Sequence, residues 1–293
     1  MQIKRAMALL LGSIIFAATL WGQSTSYKTP GLLSLQRNLL PEKPTMKLSA
    51  TELFPTLLDK TVTEREELAL AMLERGHFPD FLRDLKPVTI RERGHEVVYW
   101  VMPDYLAIGT NKDFMLMPLN FINTVRLANS WGFALPTRKM VDQIFDQAGR
   151  TIWPKTYPAG PEMNSMETIK NHSDWIKGQR YLYPKQNLLT AGHKKDIVMS
   201  RRLYGHTDRI AIYGWQNIRS GEPIQPLSIW HGDRYVDYSH GIRLVASWVI
   251  VDGKLMPLKQ LLQDQRLASL LSDEGPIDVD RIMRSVPYSL AHN

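Results

Sequence analysis

Near residue 188 the spacing of apolar residues changes, and this change limits the fold more than any other feature of the chain. Before it, apolar positions recur at helical intervals. Phe121, Ile122, Val125, Leu127 and Ala128 do so up to Gly132, and Met140, Val141, Ile144, Phe145 and Ala148 do so between Pro136-Thr137 and Gly149. After it, short apolar runs at 196–199, 209–215, 223–230 and 242–251 read as strands, and Asp252-Gly253 supplies a tight hairpin turn. One hairpin precedes the switch, over 86–102, turning at Arg93-Gly94-His95. The expected fold class is α+β, with an N-terminal mostly helical half carrying one β-hairpin and a C-terminal mostly antiparallel sheet. Residues 258–271 and 278–284 return to helix.

Helix starts are legible as capping boxes, in which a hydroxyl and a carboxylate three residues later satisfy the first free amides. Ser49…Glu52 and Thr63…Glu66 fit the pattern. The second predicts a helix to about Arg75 that buries Leu68, Ala71, Met72 and Arg75. Asn164 to Glu167 caps another, to about Lys177.

Residues 1–22 have a positive start (Lys4, Arg5), an apolar run from Ala6 to Leu20 and small residues at its end. That is the layout of a secretory signal peptide, too short for an ordinary membrane span. The expected localisation is secreted or periplasmic, with no membrane span in the mature protein. Residues 23–48 read as a polar tether, and 49–293 as a single α+β domain with a lobe boundary possible in Pro-rich 150–163.

The 293 residues include no cysteine, which excludes a thiol nucleophile, a disulfide framework and cysteine-based metal sites. Net charge is +7, or +5 without Lys4 and Arg5, and is scattered. With no basic stripe and no nucleic-acid motif, nucleic acid is not an expected partner.

The densest chemistry lies at 231–241, where His231, Asp233, Arg234, Tyr235, Asp237, Tyr238, Ser239 and His240 fall within eleven residues. If the segment is extended, His231, Asp233, Tyr235, Asp237 and Ser239 share one face and Tyr238 and His240 the other. Three chemistries fit. His240 or His231 could be a general base oriented by Asp237 or Asp233, activating water or Ser239 as nucleophile. His231, Asp233 and His240 could bind a divalent metal such as zinc. The carboxylates could act as a pair on a glycosidic bond, with Trp215 and Trp230 as stacking faces. No H-E-x-x-H, G-x-S-x-G or phosphate-loop motif is present, so a hydrogen-bonded turn accounts for the same residues.

A second cluster, His193, Lys194, Lys195 and Asp196, enters a strand that could reach the same end of the sheet. There His193, the lysines, Tyr238 and Trp215 would bind substrate. Weaker candidates are Asp104-Tyr105 at the cleft, His206 in a loop, and Pro136-Thr137-Arg138-Lys139 as an anion-binding helix start. His77, His95 and His292 read as surface residues, and His172 as core-edge. The expected function is a hydrolase acting on an envelope or extracellular polymer or its fragments, at peptide-like amide bonds. The alternatives are a non-catalytic glycan- or peptide-binding protein and a structural envelope protein.

Overall fold

Two pairs of consecutive left-handed residues, Arg93-Gly94 (φ +53° and +79°) and Asp252-Gly253 (φ +48° and +80°), reverse the chain. Each closes a hairpin, because positive φ at both central residues matches the twist of the flanking strands. The first joins β1 (Lys86–Glu92) to β2 (His95–Val101), and the second joins β12 (Val245–Val251) to β13 (Lys254–Pro257). In this computed structural model, which describes residues 39–180, 182 and 188–283, β2 pairs antiparallel with β12. The sheet order is β1-β2-β12-β13, and β5 (Phe133–Ala134) also pairs with β12. The first hairpin and the C-terminal strands therefore share one sheet.

A second sheet has the order β10-β9-β8-β11, from β8 (Lys195–Ile197), β9 (Ile212–Gln216), β10 (Pro223–Ser228) and β11 (His240–Gly241). Two small pairs complete the strands: β3 (Ala107–Gly109) with β4 (Phe114–Leu116), and β6 (Arg150–Thr151) with β7 (Thr190–Ala191). The helices are α1 (Ala50–Leu58), α2 (Val62–Glu74), α3 (Phe121–Ser130), α4 (Arg138–Asp146), α5 (Met166–Arg180), α6 (Leu258–Gln263) and α7 (Val279–Met283). The fold is α+β. Its core includes Leu57, Leu70, Leu73, Phe78, Val97, Tyr99 and Val101, all fully buried. No helix among the described residues is long and apolar enough to cross a membrane. The expected signal peptide, and the tether as far as residue 38, lie outside the described residues.

Local expectations fail where tertiary contacts claim a residue. The cap of α2 is Thr61 with Glu64, two residues before the expected box. Glu66, read as a capping carboxylate, is buried and accepts from Asn120 N (2.9 Å), the cap residue of α3. The buried face of α2 is Arg65, Glu66, Ala69, Leu70 and Leu73 rather than the predicted one. The 258–271 helix stops at Asp264, whose carboxylate caps a new turn through Arg266 N and Leu267 N. His172, within α5, is fully buried rather than at the edge of the core.

Candidate functional site

The two polar clusters meet in the second sheet. β11 runs parallel to β8, with His240 opposite Lys195 and Gly241 opposite Asp196. The Lys195 amide donates to Ser239 O at 2.8 Å. Side chains at paired positions lie on the same face, so His240 and Lys195 are neighbours. Glycine at 241 permits this approach. A Cβ there would lie 2.5 Å from Lys194 Cβ and 2.6 Å from Tyr105 Cδ1.

Residues 231–239 are not a strand, which corrects the alternating-face expectation. They fold as two turns, one at Asp233-Arg234 and one at Tyr238-Ser239. The physical cause is Asp237, whose Oδ1 accepts from Ser239 N (2.7 Å) and Ser239 Oγ (2.5 Å) while Oδ2 accepts from Tyr235 Oη (2.9 Å). A side chain that bonds its own backbone two residues on competes with extended pairing. The Ser239 hydroxyl is thus buried and committed to a carboxylate, not to an imidazole. Asp233 is held through its backbone, donating to Asp208 O and accepting from Phe121 N, both at 2.9 Å.

Four ionisable groups gather around β11: His240, His231, Lys195 and Asp237. His240 is 1% exposed, and neither ring nitrogen has a hydrogen-bond partner among the described residues. Burial lowers its pKa to about 4 against the pull of Asp237, so the ring is neutral at pH 7. His231 stacks on Tyr235 at 4.1 Å and lies 6.3 Å from His240 between ring centroids. His231 is half-buried, and its pKa is lowered by burial. The Lys195 ammonium sits 4.8 Å from the centre of the Trp215 ring, and burial lowers its pKa too. Burial would raise Asp237, but the His240 ring, the Ser239 donors and Lys195 outweigh it and leave its pKa lowered.

Lys194 and His193, expected to bind substrate, are buried and face the interior. Lys194 Nζ donates to Tyr238 O, and burial pushes its pKa down to about 7 against the attraction of Asp237 and Asp104. Both residues belong to a buried charge lattice. His193 Nε2 lies 3.1 Å from Asp104 Oδ1, and Arg180 binds the other oxygen of Asp104. Burial would raise Asp104, but Arg180 and His193 hold it far below the usual carboxylate range. Asp196 accepts from Tyr105 Oη at 2.6 Å and faces Arg243 at 3.9 Å; burial raises its pKa to about 7. Arg243 also donates to Met102 O (3.0 Å) and Thr190 O (2.5 Å). Asp104 and Tyr105 therefore brace the site from beneath rather than line a cleft.

Tyr238 is buried, receives Tyr157 N at 2.7 Å and packs near Trp215. Trp215 is itself buried, so of the two tryptophans offered for stacking only Trp230, 81% exposed, presents its ring to solvent. Among the described residues no three His, Asp or Glu side chains gather as a metal site, so His231, Asp233 and His240 do not form the predicted ligand set. The start of α4 is ordinarily capped: Thr137 accepts from Met140 N, Arg138 pairs with Asp273 and Lys139 with Glu92. Arg180 and Arg243 escaped the sequence reading, because nothing local marks a lone arginine as the partner of a distant buried aspartate. Comparison with known protein families, curated proteins and solved structures returns no match for the chain.

Proposed function

We propose that the chain is an exported hydrolase that cleaves amide bonds in an envelope or extracellular polymer at the His240–Lys195 pair. The observation that carries this reading is the neutral, buried His240 ring, both nitrogens without a partner among the described residues, beside a half-buried ammonium. A buried unpartnered imidazole is costly unless a water or substrate group completes it. In the proposed reaction His240 takes a proton from a water whose oxygen attacks the amide carbon. Lys195 stabilises the oxyanion that forms. The imidazolium then returns the proton to the departing amine, and His231 carries protons between the site and solvent. Asp237 and Tyr235 position the loop. Export is supported by the layout of residues 1–22.

The closed position of His240 favours a second reading, in which the same site binds a glycan or peptide without turnover. His240→Gln separates the two. On amide-linked envelope polymer, hydrolysis predicts that wild type releases new primary amines, and that the variant keeps its melting temperature but releases none. Saturable binding by wild type with no amine released would sink the hydrolase.

A further inference from the structure

Trp230, the residue before His231, borders a groove of about 590 Å³ that also includes Arg202, His206 and Arg209. Among the described residues no acidic side chain lines it. Both guanidiniums are held by the groove's own backbone: Arg202 donates to Leu227 O at 2.8 Å, and Arg209 to Trp230 O at 2.9 Å. Each anchor uses one of five N–H donors and fixes the direction of the rest. Arg209 also has an exposed neighbour, Asp208, at 3.6 Å. A solvent-exposed indole beside two anchored forks is an arrangement in which a flat ring stacks while carboxylates are gripped.

The groove adjoins the site. Ile210 N donates to His231 O, and Arg209 bridges Gly232. The backbone that carries Trp230 therefore continues straight into the site.

We infer that this groove is a subsite for a carboxylate-bearing glycan, its sugar ring on Trp230 and its carboxylates on Arg202 and Arg209. What then happens to the bound chain rests on the hydrolase reading; the binding does not.

The test measures binding of oligogalacturonate, an anionic sugar chain, against a neutral cello-oligosaccharide of equal length, by calorimetry. The proteins are wild type, His240→Gln, Trp230→Ala, Arg202→Ala, Arg209→Ala and Arg202→Lys. The anionic chain should bind wild type and His240→Gln equally, and more weakly as salt rises. Each alanine substitution should cost about tenfold, the loss expected for one charge-assisted contact or one stacked ring. Arg202→Lys keeps the charge without the fork and should fall between. Equal binding of the neutral chain, no binding by folded wild type, or affinity unchanged by the arginine substitutions would overturn the inference. Binding that survives in a protein that hydrolyses no polymer would leave the subsite standing and remove only the hydrolase.

Discussion

Replacing His240 with glutamine should flatten the acid side of the stability profile. The ring titrates near 6.5 in an unfolded chain and at about 4 in the folded one, because burial excludes its charged form. Between those values the unfolded chain binds a proton at this position and the folded protein does not. Stability therefore rises with pH across the window, and it is lost as pH falls from about 6.5 towards 4. From pH 7 to pH 5 this one group removes about 2 kcal/mol, or roughly 5 °C in melting temperature for a domain of this size. His193, His172 and His231 are lowered in the same direction, so wild type is more acid-sensitive than one residue explains. The measurement is urea unfolding of wild type and His240→Gln at both pH values, checked for constant m. The difference in stability between the two pH values should be about 2 kcal/mol smaller in the variant. An identical difference in the two proteins would show that His240 is solvated or charged in the fold, and the neutral-base mechanism would fall with it.

Asp104→Asn leaves Arg180 and His193 without their buried counter-charge and should cost about 3–5 kcal/mol in urea unfolding. In wild type the stability from this depressed carboxylate is lost as pH falls below about 4, the unfolded pKa; a variant as stable as wild type would refute the lattice. Lys195→Ala should lower turnover about a hundredfold with the melting temperature almost unchanged, whereas Lys194→Ala should destabilise by about 2 kcal/mol or more, because Tyr238 O loses its donor. The reverse pattern would assign the two lysines wrongly. Ser239→Ala should cost about 1 kcal/mol and keep most turnover, since the hydroxyl closes a turn on Asp237; a folded but inactive variant would restore Ser239 as nucleophile. Gly241→Ala should cost about 1–3 kcal/mol by overpacking against Tyr105 and Lys194, read as a lower midpoint in thermal unfolding.

What could be read from the sequence was whatever a few neighbouring residues decide. The 86–102 and 251–254 hairpins follow from Arg93-Gly94 and Asp252-Gly253, and the start of α1 follows from Ser49. The density of 231–241 was visible too, but not its shape. Alternation assumes free backbone groups, and Asp237 had already claimed those of Ser239. Parallel pairing of His240 with Lys195 leaves no local trace, because it joins segments distant in the chain through two residues each. Likewise nothing local shows that His193 and Lys194 are buried, because their partners Asp104 and Tyr238, and Arg180 beyond Asp104, lie elsewhere in the chain.

The sheet divides consecutive residues between two tasks. Lys194 and Asp196 point into the lattice with Asp104, Arg180, Arg243 and Tyr105, while Lys195 stands on the opposite face with His240. The strand's alternation produces this separation, and one strained residue fixes its outer side. Trp215 has φ +58°, a left-handed conformation that a bulky residue adopts only at a cost of about 1–3 kcal/mol. Its amide donates to Lys194 O at 3.1 Å, and its ring lies beneath the Lys195 ammonium. Gly214 before it, at φ +112°, opposes Lys195 in the register and supplies the left-handed backbone that leads into Trp215. A backbone chosen for stability alone would relax Trp215. That it does not is intelligible if the indole must hold Lys195 beside His240, and the buried lattice below supplies the rigidity that keeps the strain in place.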